Sequence, residues 1–254
     1  MIVSIMQPAY LPWLGFFDRI AASDIFILLD HVEIDRNSKT KFANRNRVRT
    51  AQGWSWLTVP IRSKGKHGEL RLNEIEVNNE TNWPGKHWRA IELNYRRAPY
   101  FADYAAPFRT LLETRWTHLA DLNAAGLKIF MEALTLNKTV LSSSEMDCRE
   151  TKDKLILELC RKVGATTYLS GPFGRDYLNP VDFEAAGVEL LIHDYDHPQY
   201  NQSFDGFEPY MSTLDLLFNH GTGSLQILRS PHSLVKPERK AAETAAAAAE
   251  RSVS

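Results

Sequence analysis

Cysteine is almost missing from this chain. Only Cys148 and Cys160 occur in its 254 residues, too few for a disulfide framework or a metal-ligand cluster, and both are expected to be reduced. Long apolar runs are missing as well, since no stretch approaches the roughly 20 residues that a membrane-spanning helix needs. The N-terminus has neither the basic region nor the small-residue cleavage site of a secretion signal. These absences predict a cytoplasmic protein without membrane insertion. The glycine motifs that cradle phosphates, G-x-x-x-x-G-K-[ST] and G-x-G-x-x-G, do not occur, so standard P-loop and dinucleotide-binding folds are unsupported. A formal net charge of -1 argues against wholesale nucleic-acid binding.

What is present is enough apolar residue, 44% of the chain, for a substantial core. The clearest unit is Met1 to Asp30. Ile2 to Met6 is a short apolar run, Gln7-Pro8 opens a loop rich in Pro and aromatic residues, Gly15 to Ala22 is helix-like, and Ile25 to Leu29 is apolar again. Uninterrupted short apolar runs suit strands buried on both faces of a parallel sheet, with the helix as crossover. The same logic returns late in the chain, where the helix-like Thr151 to Val163 precedes apolar runs at 166–169 and 188–193. The expected fold is therefore α/β, a mostly parallel sheet with crossover helices.

Two departures are expected from that plan. Residues 54–61 and 70–77 read as the strands of an antiparallel hairpin insertion turning at Gly-Lys-His-Gly, with 31–48 as a loop. From Asn82 the period changes, and residues 86–95, 101–113 and 119–136 read as helices in a helical middle section covering 82–137. A helix is also expected over 209–219. A single α/β domain over 1–230 followed by an Ala-rich flexible or helical tail over 231–254 completes the outline.

Ligands of parallel sheets gather beyond the carboxyl ends of the strands. Gln7, Asp30, Ser170 with Gly171, and His193 with Asp194 all fall at such ends. Ser212, Asp215 and Asn219 recur at helical spacing among apolar residues and form a polar stripe, which faces either solvent or a cleft. In a cleft, Asp215 is a candidate general base. Charge is uneven: between Arg36 and Arg71 there are ten Lys or Arg and one acid, Glu69. A charge run alone is usually a solvated face. Within this one, Asn44-Arg45-Asn46-Arg47 combines guanidinium groups with amides suited to oriented phosphate or carboxylate binding. Cys160 falls on the apolar face of its helix and reads as core. His193-x-x-x-His197 has a metal-ligand interval, but Pro198 and the acidic residues between make a helix improbable there, and no metal is expected.

Met6-Gln7-Pro8 with Tyr10, Pro12, Gly15 and Phe16-Phe17, then Asp24, Asp30, Asn44-Arg45-Asn46, Lys86, Tyr95, Ala98-Pro99-Tyr100-Phe101, Ser142-Ser143, Gly164-Ala165, Tyr168, Gly174, Tyr177, Gly187, Tyr200, Gln202, Phe207 and Ser212 through Asn219 resemble the WbqC-like protein family. The resemblance spans essentially residues 1–221. It implies association with bacterial surface-polysaccharide (O-antigen) biosynthesis, and attachment of an aminoacyl group such as glycine to the amine of a nucleotide-linked amino sugar. It adds Tyr10, Lys86, Ser142, Ser143, Tyr177, Tyr200 and Gln202 to the expected binding set, and Trp13 from the same aromatic loop joins them. Part of the family carries His where this chain has Met6, so an imidazole there is not the essential catalyst. Relatives often have two adjacent glycines after Tyr168, where this chain has Ser-Gly-Pro-Phe-Gly, and Phe173 is expected to narrow the pocket.

The leading expectation is a transferase that moves an acyl or aminoacyl group onto an amine of a nucleotide-activated amino sugar or similar small metabolite, its cofactor unknown. Gln7, Asp30 and Asp215 are the expected catalytic residues, and Asn44 to Arg47 hold the phosphates of the small-molecule substrate. Alternatives are a nucleotidyltransferase or adenylate-forming ligase, argued by outline alone since the paired His motif of such folds is missing, and a non-catalytic binding protein of a polysaccharide pathway. An aminoacyl-tRNA donor fits the basic segment better than it fits the total charge.

Overall fold

The computed structural model describes residues 1–33, 42–62, 70–229 and 233–236. The chain opens with β1 (Ile2–Met6), α1 (Leu14–Ala22) and β2 (Ile25–Leu28), then leaves the sheet for β3 (Arg45–Thr50) and β4 (Gly53–Thr58). Three helices follow, α2 (Trp83–Tyr95), α3 (Phe101–Glu113) and α4 (Leu119–Ala133). The chain re-enters the sheet at β5 (Thr139–Ser142), crosses through α5 (Lys152–Lys162) to β6 (Thr167–Ser170), and passes α6 (Gly174–Tyr177) and α7 (Pro180–Ala185) to β7 (Glu189–Asp194). Last come α8 (Thr213–His220), α9 (Ser224–Leu228) and β8 (Ser233–Val235).

The main sheet has the order β5-β2-β1-β6-β7-β8. All pairs are parallel except β7 with β8, which is antiparallel. The chain thus winds from β1 through β2 to one edge, and returns from β5 to the far side of β1. That reversal puts a switch point between the carboxyl ends of β1 and β6, the usual crevice of a doubly wound sheet. α1 forms because Phe16, Phe17 and Ile20 lie on one buried face, and full burial of each such side chain is worth roughly 1.5–3 kcal/mol. It stops at Ser23, whose hydroxyl donates to the carbonyls of Arg19 and Ile20.

Two cores flank the sheet. On one face α1 packs against the helical middle section and α8, with Phe17 5.0 Å from Phe130 and Phe108 4.7 Å from Phe130, ring to ring. On the other, Leu155, Leu159 and Cys160 of α5 meet Phe183 of α7, which stacks on Tyr168. Cys160 is core, as its periodicity indicated, and burial pushes its thiol up to about 12. Among the described residues no helix is long and apolar enough to cross a membrane.

The hairpin is present, but its strands differ from those expected. β4 pairs with β3, Arg45 opposite Thr58 through Thr50 opposite Gly53. Residues 70–77 instead hold a short 3-10 helix at Leu72–Glu74 and an isolated bridge between Ile61 and Val77. The Gly-Lys-His-Gly stretch read as the turn lies outside the described residues. β3 escaped notice because its sequence, RNRVRT, carries polar residues on both faces. α8 also starts later than expected, since Tyr210 takes a positive φ of 62° and Ser212 caps the helix, its hydroxyl accepting from the Leu214 N–H. β8 lies inside the stretch expected to be tail.

Candidate functional site

Each parallel strand delivers one polar group to the same edge of the sheet. Gln7 follows β1 and is exposed. Asp30 follows β2 and is nearly buried, 8% exposed. Its Oδ1 accepts from the Ser143 hydroxyl at 3.0 Å and the Ser144 N–H at 2.9 Å, and its Oδ2 accepts from the Ser144 hydroxyl at 2.7 Å. The Asp30 N–H in turn donates to Ser143 Oγ at 3.1 Å, and His31 Nδ1 lies 2.6 Å from the same oxygen. This lock joins the ends of β2 and β5, where Ser142 is half-buried. Near the end of β7, His193 Nε2 donates to Asp18 Oδ2 at 2.6 Å with both side chains buried.

At the end of β6 the buried Ser170 hydroxyl lies beside the phenols of Tyr168 and Tyr177. The next residue, Gly171, makes room for Arg19: a Cβ on Gly171 would stand 2.6 and 2.9 Å from the two outer guanidinium nitrogens. Arg19 is 9% exposed. Burial lowers its pKa, while Tyr168, Tyr177 and Asp18 favour the cation. Sequence reasoning passed over Arg19 and Asp18. The signal was available, because two adjacent charges in the otherwise apolar LGFFDRIAA are hard to accommodate without a partner or a task.

A second surface adjoins this edge. The guanidinium of Arg45 sits 4.3 Å from the Trp56 ring, and that of Arg47 lies 4.2 Å from Trp54 and 4.9 Å from Trp56. Alternation on β3 and β4 produces this ladder, since residues two apart share a face. Neither guanidinium has an ion-pair or hydrogen-bond partner among the described residues, and both Nε atoms are buried without an acceptor. Trp56 touches Phe42, which touches Trp13 at 4.8 Å, and Trp13 precedes α1 at the carboxyl edge. Gly15 is required there, because a Cβ would stand 2.7 Å from the Tyr195 ring. Trp54 and Trp56 were not among the expected binding residues, although W-x-W facing R-x-R at strand spacing is readable.

The asparagines of this segment do other work than expected. Asn46 is buried and its amide donates to the Leu11 carbonyl at 2.6 Å, while Asn44 donates to the Val59 carbonyl at 2.9 Å. They point to the opposite side of β3 from the arginines and stitch it to its neighbours. Tyr10 is likewise interior, 2.8 Å from His87 Nδ1. His87 Nε2 is 3.2 Å from the Thr58 carbonyl, which can only accept, so Nε2 carries the proton and Tyr10 donates to Nδ1. Burial lowers the His87 pKa to about 4. Its neighbour Lys86 is exposed on α2.

The remaining expected residues form a third cluster. Asp215 is fully buried at the start of α8, with Oδ2 accepting from Tyr200 Oη and Gln202 Nε2, each at 2.9 Å. Gln202 Oε1 accepts from Arg49 Nε at 3.1 Å, and the Arg49 N–H donates to Tyr95 Oη at 2.8 Å. The outer nitrogens of Arg49 bond to the carbonyls of Thr50, Gly53 and Asp205. Burial raises the Asp215 pKa, against the lowering effect of Tyr200, Tyr95 and Gln202. Of the polar stripe, Ser212 and Asp215 are therefore turned inward, where Asp215 closes an internal network, while Asn219 is half-buried. Asn219 donates to the Asp215 carbonyl at 2.7 Å and lines, with Gln202, Arg96 and Arg97, a cavity of about 760 Å³.

Comparison with known proteins places these features in context. Residues 7–227 match the WbqC-like protein family. The chain is 38% identical over 232 residues to "Uncharacterized protein Rv1507c" of Mycobacterium tuberculosis (strain ATCC 25618 / H37Rv), an alignment covering 89% of this chain and 97% of that protein. No solved structure matches.

Proposed function

The chain belongs to the WbqC-like protein family, and we propose that it is a transferase that moves an acyl or aminoacyl group, such as glycyl, onto an amine of a nucleotide-activated amino sugar or similar small metabolite. The observation that carries this is the pair Arg45 and Arg47, laid on Trp54 and Trp56 with no carboxylate among the described residues to neutralise them. Guanidinium groups held against indoles offer their outer nitrogens to phosphates, and the half-exposed Trp54 offers aromatic surface to a base. The aromatic chain through Phe42 and Trp13 links that face to the edge where Gln7 and Asp30 lie.

In this reading the amine nitrogen attacks the acyl carbonyl, the bond to the donor's leaving group breaks, and the amine loses a proton to a carboxylate. Asp30 is the better base, because it follows β2 at the carboxyl edge and keeps 8% exposure, whereas Asp215 has none. Asp215 acts through Gln202 and Arg49 as the brace that keeps β3 in place. Incubation with a panel of amino-sugar nucleotides and activated amino acids, followed by mass spectrometry, should give one product heavier by the acyl group. A blank across a broad panel would sink the proposal.

The strand order favours one rival. A switch point beside the central β1 suits an ATP-dependent nucleotidyltransferase or adenylate-forming ligase. Release of pyrophosphate from ATP on addition of a carboxylate or sugar phosphate separates it from simple acyl transfer.

A further inference from the structure

We infer that Arg19, framed by Gly171, Ser170 and Tyr177 at the switch point between β1 and β6, is an oxyanion-binding site separate from the Arg45 and Arg47 face. Three observations meet there. Arg19 is more than nine-tenths buried, its Nε is sealed from solvent without an acceptor, and among the described residues no hydrogen bond or ion pair engages its guanidinium. A buried guanidinium without an acceptor is costly and is seldom kept for packing alone. Asp18, the adjacent acid, does not supply that acceptor: its Oδ2 is held by His193 at 2.6 Å.

The second observation is the space. The outer nitrogens of Arg19 lie over Gly171 so closely that any side chain there would collide with them. Gly171 does not have a positive φ, so the backbone itself does not demand glycine at this position. The approach of the guanidinium does. The third is position, since Gly171 directly follows β6 and β6 pairs with β1, which places the group at the crevice where doubly wound sheets hold ligands. Ser170 and Tyr177 add hydroxyl groups around it. A planar fork with hydroxyls beside it matches a carboxylate or a phosphoryl group, and both share the chemistry of two or more oxygens bearing negative charge.

Isothermal titration calorimetry of the full chain with sodium phosphate, and separately with sodium acetate, reads this site. Saturable binding of at least one anion is expected, and the tighter of the two identifies the source as phosphoryl or carboxylate. Gly171→Ala pushes the guanidinium aside at the cost of moving only a flexible side-chain end, and should weaken that binding about tenfold or more. Arg19→Lys should weaken it similarly, while the anion-induced shift of the Arg19 guanidinium NMR resonance should persist in the Arg45→Ala, Arg47→Ala double variant, which removes any phosphate held on the hairpin. Loss in the hairpin variant with retention in Gly171→Ala would overturn the assignment and move the anion to the hairpin. A wild-type Arg19 guanidinium NMR resonance that neither anion shifts would also overturn it, whatever the folding of the variants. Neither result bears on whether an acyl group is transferred, so this site and the proposed function fail independently.

Discussion

Asp30 and Ser143 bond to each other in both directions. The Ser143 hydroxyl donates to Asp30 Oδ1 at 3.0 Å, and the Asp30 N–H donates back to that same hydroxyl at 3.1 Å. The pair spans β2 and β5, so the carboxylate is fixed by a neighbouring strand end and not by its own loop. Ser143→Ala should cost about 1–2 kcal/mol in urea denaturation and leave much of the transfer activity. Asp30→Asn keeps the shape but removes the charge, and a base lost in this way should lower the rate by roughly 100-fold or more. Equal rates for Asp30→Asn and wild type would remove Asp30 from the chemistry.

The ladder on β3 and β4 predicts how a nucleotide should bind. Arg47→Lys keeps the charge but loses the planar guanidinium's contact with Trp54 and Trp56, and should weaken nucleotide binding by about 1 kcal/mol; Arg47→Ala should do worse. Because Trp54 is 40% exposed, its fluorescence should quench on binding. Affinity should also fall with added salt, by a smaller slope in Arg45→Ala. A nucleotide affinity indifferent to both arginines would rule out this face.

His87 should make stability depend on pH in one direction. Its pKa falls from 6.5 in the unfolded chain to about 4 when buried, so between those values the unfolded chain binds the extra proton. The stability is fully present above pH 6.5 and is lost as pH drops toward 4, up to about 3 kcal/mol. Urea denaturation of wild type and His87→Gln across that range should show the slope flattened in the variant.

Asp215 works in the opposite sense. Burial raises its pKa above 3.8, so the folded chain holds the proton more tightly, and its contribution weakens as pH rises through the folded value. Asp215→Asn should remove that fall, steepening the His87 slope, while preserving activity if the residue only braces β3. Asp215→Leu leaves the Tyr200 hydroxyl and Gln202 amide without their acceptor and should cost about 2–4 kcal/mol. Activity abolished in Asp215→Asn with unchanged folding would restore it as a reacting group.

How much of this was legible depended on whether a residue's partner was local. Ile2 to Met6 and Ile25 to Leu28 announce themselves, because strands buried on both faces are uniformly apolar. Their ends then locate Gln7, Asp30, Ser170 and Gly171 with no further information. β3 hid because its outward residues are covered by indoles from the next strand and its inward Asn46 is satisfied by a loop carbonyl, so no apolar alternation marks it. The Asn44 and Asn46 amides looked fit for phosphate for the same reason. Asp215 and Asn219 lie one turn apart on α8, and Ser212 caps it. Which way Asp215 pointed depended on Tyr95, Tyr200 and Gln202, none of them on that helix. Arg19 was concealed inside an apolar helix, its close neighbour a glycine that follows a distant strand.

The short antiparallel β8 has a practical consequence for anyone trimming the chain. Its three residues occupy the outer rim of β7, pairing Ile192 with Val235 and Asp194 with Ser233. Cutting before Ser233 to discard the Ala-rich terminus would leave that rim bare, with amides and carbonyls free to recruit a strand from another molecule. A shortened version meant to crystallise more readily would then aggregate through β7, whereas one ending after Lys236 keeps its border.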